Sequence, residues 1–129
     1  GICLGLPLMA KESSEHGQHQ GLGWIDASTE SIRPDKDLRV PHIGWDELRQ
    51  LKPDPLFSGI DHDSLFYYVH SYYVKCNDPQ LVIGECEYGV RFAAVLHQKN
   101  IFGTQFHPEK SQLAGITLLK NFFDQTEHA

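Results

Sequence analysis

The chain has 129 residues, with 11 Lys and Arg against 17 Asp and Glu, a formal charge of −6 and a hydrophobic share of 40%. That length suits one domain, and the apolar share is enough for a core, which excludes disorder as the main state. The acidic excess falls in the first half, where residues 1–65 carry 6 basic and 11 acidic side chains, and no basic tract exists to follow a phosphate backbone, so a nucleic-acid partner is not expected.

Gly1-Ile2-Cys3-Leu4-Gly5 opens abruptly with apolar and glycine residues, like the interior of a longer fold. Leu4, Leu8 and Met9 recur at helical spacing, which predicts a helix from Leu4 to about Glu12. Pro7 is tolerated near its beginning, where N–H groups lack intrahelical acceptors. Gly21 to Val40 mixes short apolar pieces with turn residues and reads as short strands closed by Pro41. Asp46 to Leu51 reads as a short helical piece stopped by Pro53 and Pro55. Leu65 to Val74 is the strongest strand, rich in aromatic and β-branched residues. Three more strands follow, Leu81 to Tyr88, Val90 to His97 and Ile101 to Phe106, with turns at Gly89 and at Lys99-Asn100, the first two forming a hairpin. Leu113, Ile116, Leu119, Phe122 and Phe123 recur at three- and four-residue steps, predicting an amphipathic helix from Ser111 to about Gln125.

Three cysteines, Cys3, Cys76 and Cys86, cannot all pair within the chain, which points to a reducing compartment and a cytoplasmic setting. No apolar run reaches the roughly 18 residues of a membrane helix, and the first ten residues lack the features of a secretion signal. His16, His19 and His62 have no cysteines nearby at zinc-binding spacing, so no metal is expected.

Two words carry chemistry. In Gly1-Ile2-Cys3-Leu4-Gly5 a cysteine flanked by small and apolar residues stands where a strand end meets a helix start. This is the pattern of a nucleophile elbow, in which a tight turn exposes the side chain and the next backbone N–H faces an oxyanion hole. In Gly103-Thr104-Gln105-Phe106-His107-Pro108-Glu109-Lys110-Ser111, proline keeps His107 extended, and residues two apart in an extended segment project the same way, so Glu109 can reach His107. A thiol, an imidazole and a carboxylate form a triad by role. From residues alone, a buried structural Cys3 and a surface His-Glu pair remain alternatives.

These two words, with Pro41-His-Ile-Gly-Trp45 and Tyr68-Val-His-Ser-Tyr-Tyr-Val74, closely resemble class I glutamine amidotransferases. The middle words narrow the resemblance to the glutaminase subunit of imidazole glycerol phosphate synthase. The resemblance spans residues 1–129 but only about the C-terminal three-fifths of a typical member. It implies an α/β fold, a mixed sheet flanked by helices whose N-terminal strands and glycine-rich oxyanion loop would lie ahead of Gly1. It further implies hydrolysis of glutamine to glutamate and ammonia by Cys3, His107 and Glu109, with Leu4 N–H as an oxyanion donor. Gly5, Glu15, Ser71 and Tyr72 would contact the substrate. Trp45 and Lys110 would face a (β/α)₈-barrel cyclase partner that takes the ammonia, and no cofactor is implied. Pro7 and Asp46 depart from the pattern, which has Gln and Asn there. A glutaminase serving another ammonia acceptor, or a non-catalytic module keeping the fold, are the competing readings.

Overall fold

In the computed structural model, which describes residues 1–13, 19–33 and 38–126, the aromatic stretch of the middle of the chain obeys the two-residue period of a half-buried strand. β6 (Leu65–His70) turns Phe66, Tyr68 and His70 inward and leaves Leu65, Tyr67 and Val69 on the other side. Its partner is β4 (His42–Glu47), antiparallel, with His42 opposite His70 and Trp45 opposite Tyr67. The strand breaks at Ser71, and the chain resumes as β7 (Tyr72–Cys76) in a different sheet. The single strand expected from Leu65 to Val74 is therefore two, because each half finds its hydrogen-bonding partner in a separate layer.

One four-stranded sheet has the order β2-β1-β3-β7, built from β1 (Ala10–Ser13), β2 (His19–Gln20), β3 (Ile25–Ser31) and β7. Within it β1 and β3 are parallel and the other neighbours antiparallel. A second sheet is wholly antiparallel, in the order β10-β9-β8-β5, from β5 (Arg49–Gln50), β8 (Val82–Glu87), β9 (Arg91–Gln98) and β10 (Ile101–Thr104). The β8–β9 hairpin and the tight Lys99-Asn100 turn follow the sequence expectation, as does the closing helix α2 (Gln112–Thr126). Ile2 adds a parallel bridge to Thr104 at the outer edge of β10.

Two expected helices are corrected. The first, α1 (Gly5–Met9), stops at Ala10, whose ψ of 164° is extended, and Ala10–Ser13 pairs with β3 instead. Asp46 to Leu51 is not helical either, since it supplies the end of β4 and then β5, each bonded to a neighbouring strand. In both places ladder partners that only the folded chain provides outweigh local helical preference.

Two apolar clusters fill the interior. Phe66, Tyr68, Phe92, Phe106, Leu56 and Leu118 gather between the second sheet, the β4–β6 ribbon and α2. The Phe66 and Phe106 rings lie 4.3 Å apart, a contact worth about 0.5–1.5 kcal/mol beyond burial. Leu6, Met9, Ile25, Ala27, Val74 and Leu96 form the other cluster, which seats α1 against the first sheet and β9.

The seating of α1 leaves no room for a side chain at Gly103, where a Cβ would stand 2.4 Å from Leu6 Cδ1 and 2.7 Å from Met9 Cε. Gly115 is tighter, since its Cβ would meet the backbone carbonyl oxygen of Pro108 at 1.9 Å. Gly103→Ala is expected to lower unfolding free energy by about 1–3 kcal/mol through overpacking, and Gly115→Ala to do so while displacing the Pro108 turn. Chemical denaturation of both variants checks this, with unchanged midpoints as the contrary result.

Candidate active site

Cys3 has φ of +50°, in the left-handed region that L side chains enter only at a cost of order 1–3 kcal/mol. What holds it there is local and visible. Cys3 N–H donates to Thr104 O at 2.8 Å and Thr104 N–H to Gly1 O at 2.9 Å, while Gly5 N–H returns to Ile2 O and Leu6 N–H to Cys3 O. A strand-like Ile2, a left-handed Cys3 and the first turn of α1 thus make the sharp strand-to-helix corner that the sequence predicts. The sulfur is 3.5 Å from Val69 O, and the residue is largely buried.

His107 is extended, with φ −96° and ψ 98°, and opens the turn Pro108–Lys110. Its Nδ1 lies 2.5 Å from Glu109 Oε1, so the carboxylate accepts the Nδ1–H and Nε2 is left to exchange protons. The turn is clamped from below. His107 N–H donates to Tyr67 O at 2.9 Å, Tyr67 N–H to Ser111 Oγ at 3.0 Å, and Ser111 Oγ–H to His107 O at 2.5 Å.

Cys3 and His107 face one cleft of about 680 Å³, walled also by Leu4, Pro7, Val69, His70, Ser71, Tyr72 and Gln105. Of the expected site residues, Cys3, Leu4, His107, Ser71 and Tyr72 are brought together on this cleft, and Glu109 reaches it through His107. Gly5 stands behind the corner with its N–H given to Ile2. Glu15 and His16 lie outside the described residues. Trp45 is 45% exposed with its ring edge-on to Tyr67 at 5.6 Å, and Lys110 is exposed at the end of the turn, and neither lines the cleft.

The other two cysteines differ in chemistry. Burial pushes Cys76 up to about 11, with Asp78 and Asp26 adding to the rise, and burial with Asp46 pushes Cys86 up to about 12. Both remain thiols at neutral pH. Among the described residues no group of three or more His, Cys, Asp or Glu is placed to hold a metal ion, and no helix is long and apolar enough to cross a membrane.

Sequence reasoning passed over Gln105, Ser111 and the pair His42 and His70. Gln105 is 1% exposed with its Oε1 lacking a partner, and Ser111 is 1% exposed. A serine three residues after a Pro that begins a helical turn is an available signal for Ser111; nothing in the spacing of His42 and His70 announces that β4 and β6 pair.

The glutamine amidotransferase class-I family model matches residues 1–126. Over 122 residues the chain is 49% identical to imidazole glycerol phosphate synthase subunit HisH 1 of Campylobacter jejuni subsp. jejuni serotype O:23/36 (strain 81-176), covering 95% of this chain and 60% of that protein. It is 45% identical to the HisH subunit of Rhodospirillum rubrum over 124 residues, covering 95% of this chain and 58% of the relative. It is 43% identical to HisH 2 of Pseudomonas aeruginosa, covering 96% and 61%. The chain thus spans about 60% of the length of these curated relatives. The crystal structure of a putative GMP synthase component from Thermoplasma acidophilum superposes with a TM-score of 0.58 at 17% identity, over 81% of this chain and 53% of that one, a likeness of fold.

Burial holds the His70 ring far below its usual range, at about 4, opposed by its bond to the Tyr72 carbonyl and aided by the neighbouring His42. An unfolded His70 takes up its proton at about pH 6.5. Between that value and about 4 the unfolded chain binds more protons than the folded one, so stability is full above the upper value and falls as pH drops through the window. His70→Asn is expected to flatten that slope, and a lowered midpoint with an unaltered pH slope would be the contrary result.

Proposed function

Because the chain belongs to the class I glutamine amidotransferase family, we propose that its cleft performs the glutaminase half-reaction, releasing ammonia from the side-chain amide of glutamine. The observation that carries this is the left-handed Cys3 facing the same cleft as the His107–Glu109 pair.

The chemistry follows from the groups. Cys3 thiolate attacks the amide carbon, forming a C–S bond and a tetrahedral oxyanion, with Leu4 N–H as one donor to that oxygen. Loss of one such donor costs ~10²–10³ in rate in related acyl transfer. His107 imidazolium protonates the departing nitrogen, the C–N bond breaks, and ammonia leaves a thioester. His107, now neutral, takes a proton from water as its oxygen adds to the thioester, and collapse expels the thiolate and frees glutamate. Glu109 keeps the Nδ1 proton in place and offsets the charge of the imidazolium. Ser71 and Tyr72 line the same cleft and are assigned the substrate carboxylate from the family pattern. Glu15 is proposed to meet its ammonium from the family pattern alone, and Gly5 serves the same pocket by shaping the corner.

The same reading assigns the ammonia to a cyclase partner in imidazole glycerol phosphate formation, a step of histidine biosynthesis, in keeping with the names of the relatives and a cytoplasmic setting. The outer face of the β4–β6 ribbon supports a protein partner, since Ile43, Trp45 and Leu65 are each more than two-fifths exposed, and an exposed tryptophan is a common interface anchor. Lys110 is proposed to face the partner from the family pattern alone.

A glutamine-mimicking electrophile is expected to label Cys3 alone, with excess glutamine protecting it and Cys3→Ala abolishing the adduct. His107→Ala is expected to slow glutamate release by ~10²–10⁴. Peptide mass spectrometry reads the adduct, and equal labelling of Cys76 and Cys86 would overturn the assignment.

A further inference from the structure

The proposed chemistry leaves unused a buried pair of imidazoles, of which His70 lines the substrate cleft. His42 is 2% exposed and His70 8%. His70 Nδ1 lies 2.8 Å from Tyr72 O. A carbonyl only accepts, so Nδ1 carries the ring's proton and Nε2, in the neutral ring, is a lone pair. His42 Nδ1 stands 3.0 Å from that Nε2 and must donate to it. The other nitrogen of His42 is 3.2 Å from Asp46 Oδ2, again an acceptor. A neutral imidazole has one N–H, so satisfying all the contacts requires one proton more than a neutral His42 and an ionised Asp46 bring.

We propose that a proton taken from solvent and shared between His42 and Asp46 closes a hydrogen-bonded chain through His70 to the Tyr72 carbonyl, making these three side chains positioning residues for the Ser71–Tyr72 strap. The proposal rests on the glutaminase reading, in which that strap holds the carboxylate of glutamine. With the proton present, Asp46 accepts from His42 Nε2–H, His70 Nε2 accepts from His42 Nδ1–H, and Tyr72 O accepts from His70 Nδ1–H. With it gone, His42 has one N–H for two acceptors, so one link of the chain opens.

The surroundings bear on when this happens. Tyr88 and Tyr68 both stack on the His42 ring, at 4.0 Å and 5.1 Å, and aromatic faces favour an imidazolium. Burial acts more strongly and lowers His42 below its ordinary value, against the pull of Asp46. The chain therefore closes on the mildly acidic side and opens toward neutral pH and above. The titratable groups facing the pair are Asp46 on β4, Tyr68 on β6, Cys86 on β8, Tyr88 just past β8, and Cys3 and His107 across the cleft from His70. None of them lies between the two imidazoles, which bond directly.

Asp46→Asn is the discriminating variant. It has the same shape, and its side-chain N–H can donate to the lone pair of a neutral His42, closing the chain without an added proton. In the unmodified protein KM for glutamine is expected to rise several-fold between about pH 5.5 and about pH 8, where histidines titrate. In the variant KM should stay near its low value across the same range. Nitrogen NMR of the rings supplies the second readout: His42 and the Ser71 and Tyr72 amides should titrate together in the unmodified protein and be flat in Asp46→Asn. Turnover with strap amides indifferent to His42, or a variant KM with the original pH slope, would overturn the proposal. No turnover in the unmodified protein, with the coupled titration intact, would sink the glutaminase reading instead and with it the role of the chain in substrate binding.

Discussion

The hydrogen bonds that Thr104 makes with the main chain at Gly1 and Cys3 are the constraint on which the cleft depends. A left-handed Cys3 is costly by itself, and it persists because Ile2 is laid beside β10 and the following turn is folded back on Ile2 and Cys3. The fit uses the absence of a side chain at Gly103, where a Cβ would meet the ends of Leu6 and Met9. The same segment of chain then carries the partner group. Thr104 Oγ1 donates to Phe106 O at 3.0 Å, Gln105 N–H donates to Ala94 O, and Phe106 is fully buried. His107 follows at once. The sulfur and the imidazole are thus set by one strand end and not by two independent loops, which fixes their relative placement.

The interior organises itself around the same frame. Phe106 packs on Phe66 and Tyr68, so the strand end that carries the imidazole is anchored into the larger apolar cluster. Leu6 and Met9 anchor the corner into the smaller one. The back wall of the cleft is the crossing at Ser71, where the chain leaves the β4–β6 ribbon and enters the first sheet.

Much of this was legible in the sequence. The corner at Cys3, the extended His107 with Glu109 two residues on, the β8–β9 hairpin and α2 all rest on local rules of spacing and turn chemistry. What was not legible depends on pairing across the chain. Ala10–Ser13 and the stretch from Asp46 to Gln50 read as helical by local pattern but have strand neighbours in space, and only the latter decide. The long aromatic strand gives no local hint that Ser71 divides it. For the same reason the bond between His42 and His70, twenty-eight residues apart, has no local signal, and of Ser111 only its place in the Pro108 turn is legible, not its bond to Tyr67 forty-four residues away.

Tyr67 occupies a peculiar place in this arrangement. Its ring lies on the outer face against Trp45, while its carbonyl and amide hold the turn that carries His107, one directly and the other through Ser111. Both of those bonds are made by peptide groups, which every residue except proline supplies in full. The outer side chain is therefore free to drift under selection without loosening the turn beneath it. A lineage can repaint that face to suit a changed neighbour one substitution at a time, and the inherited placement of His107 survives each step.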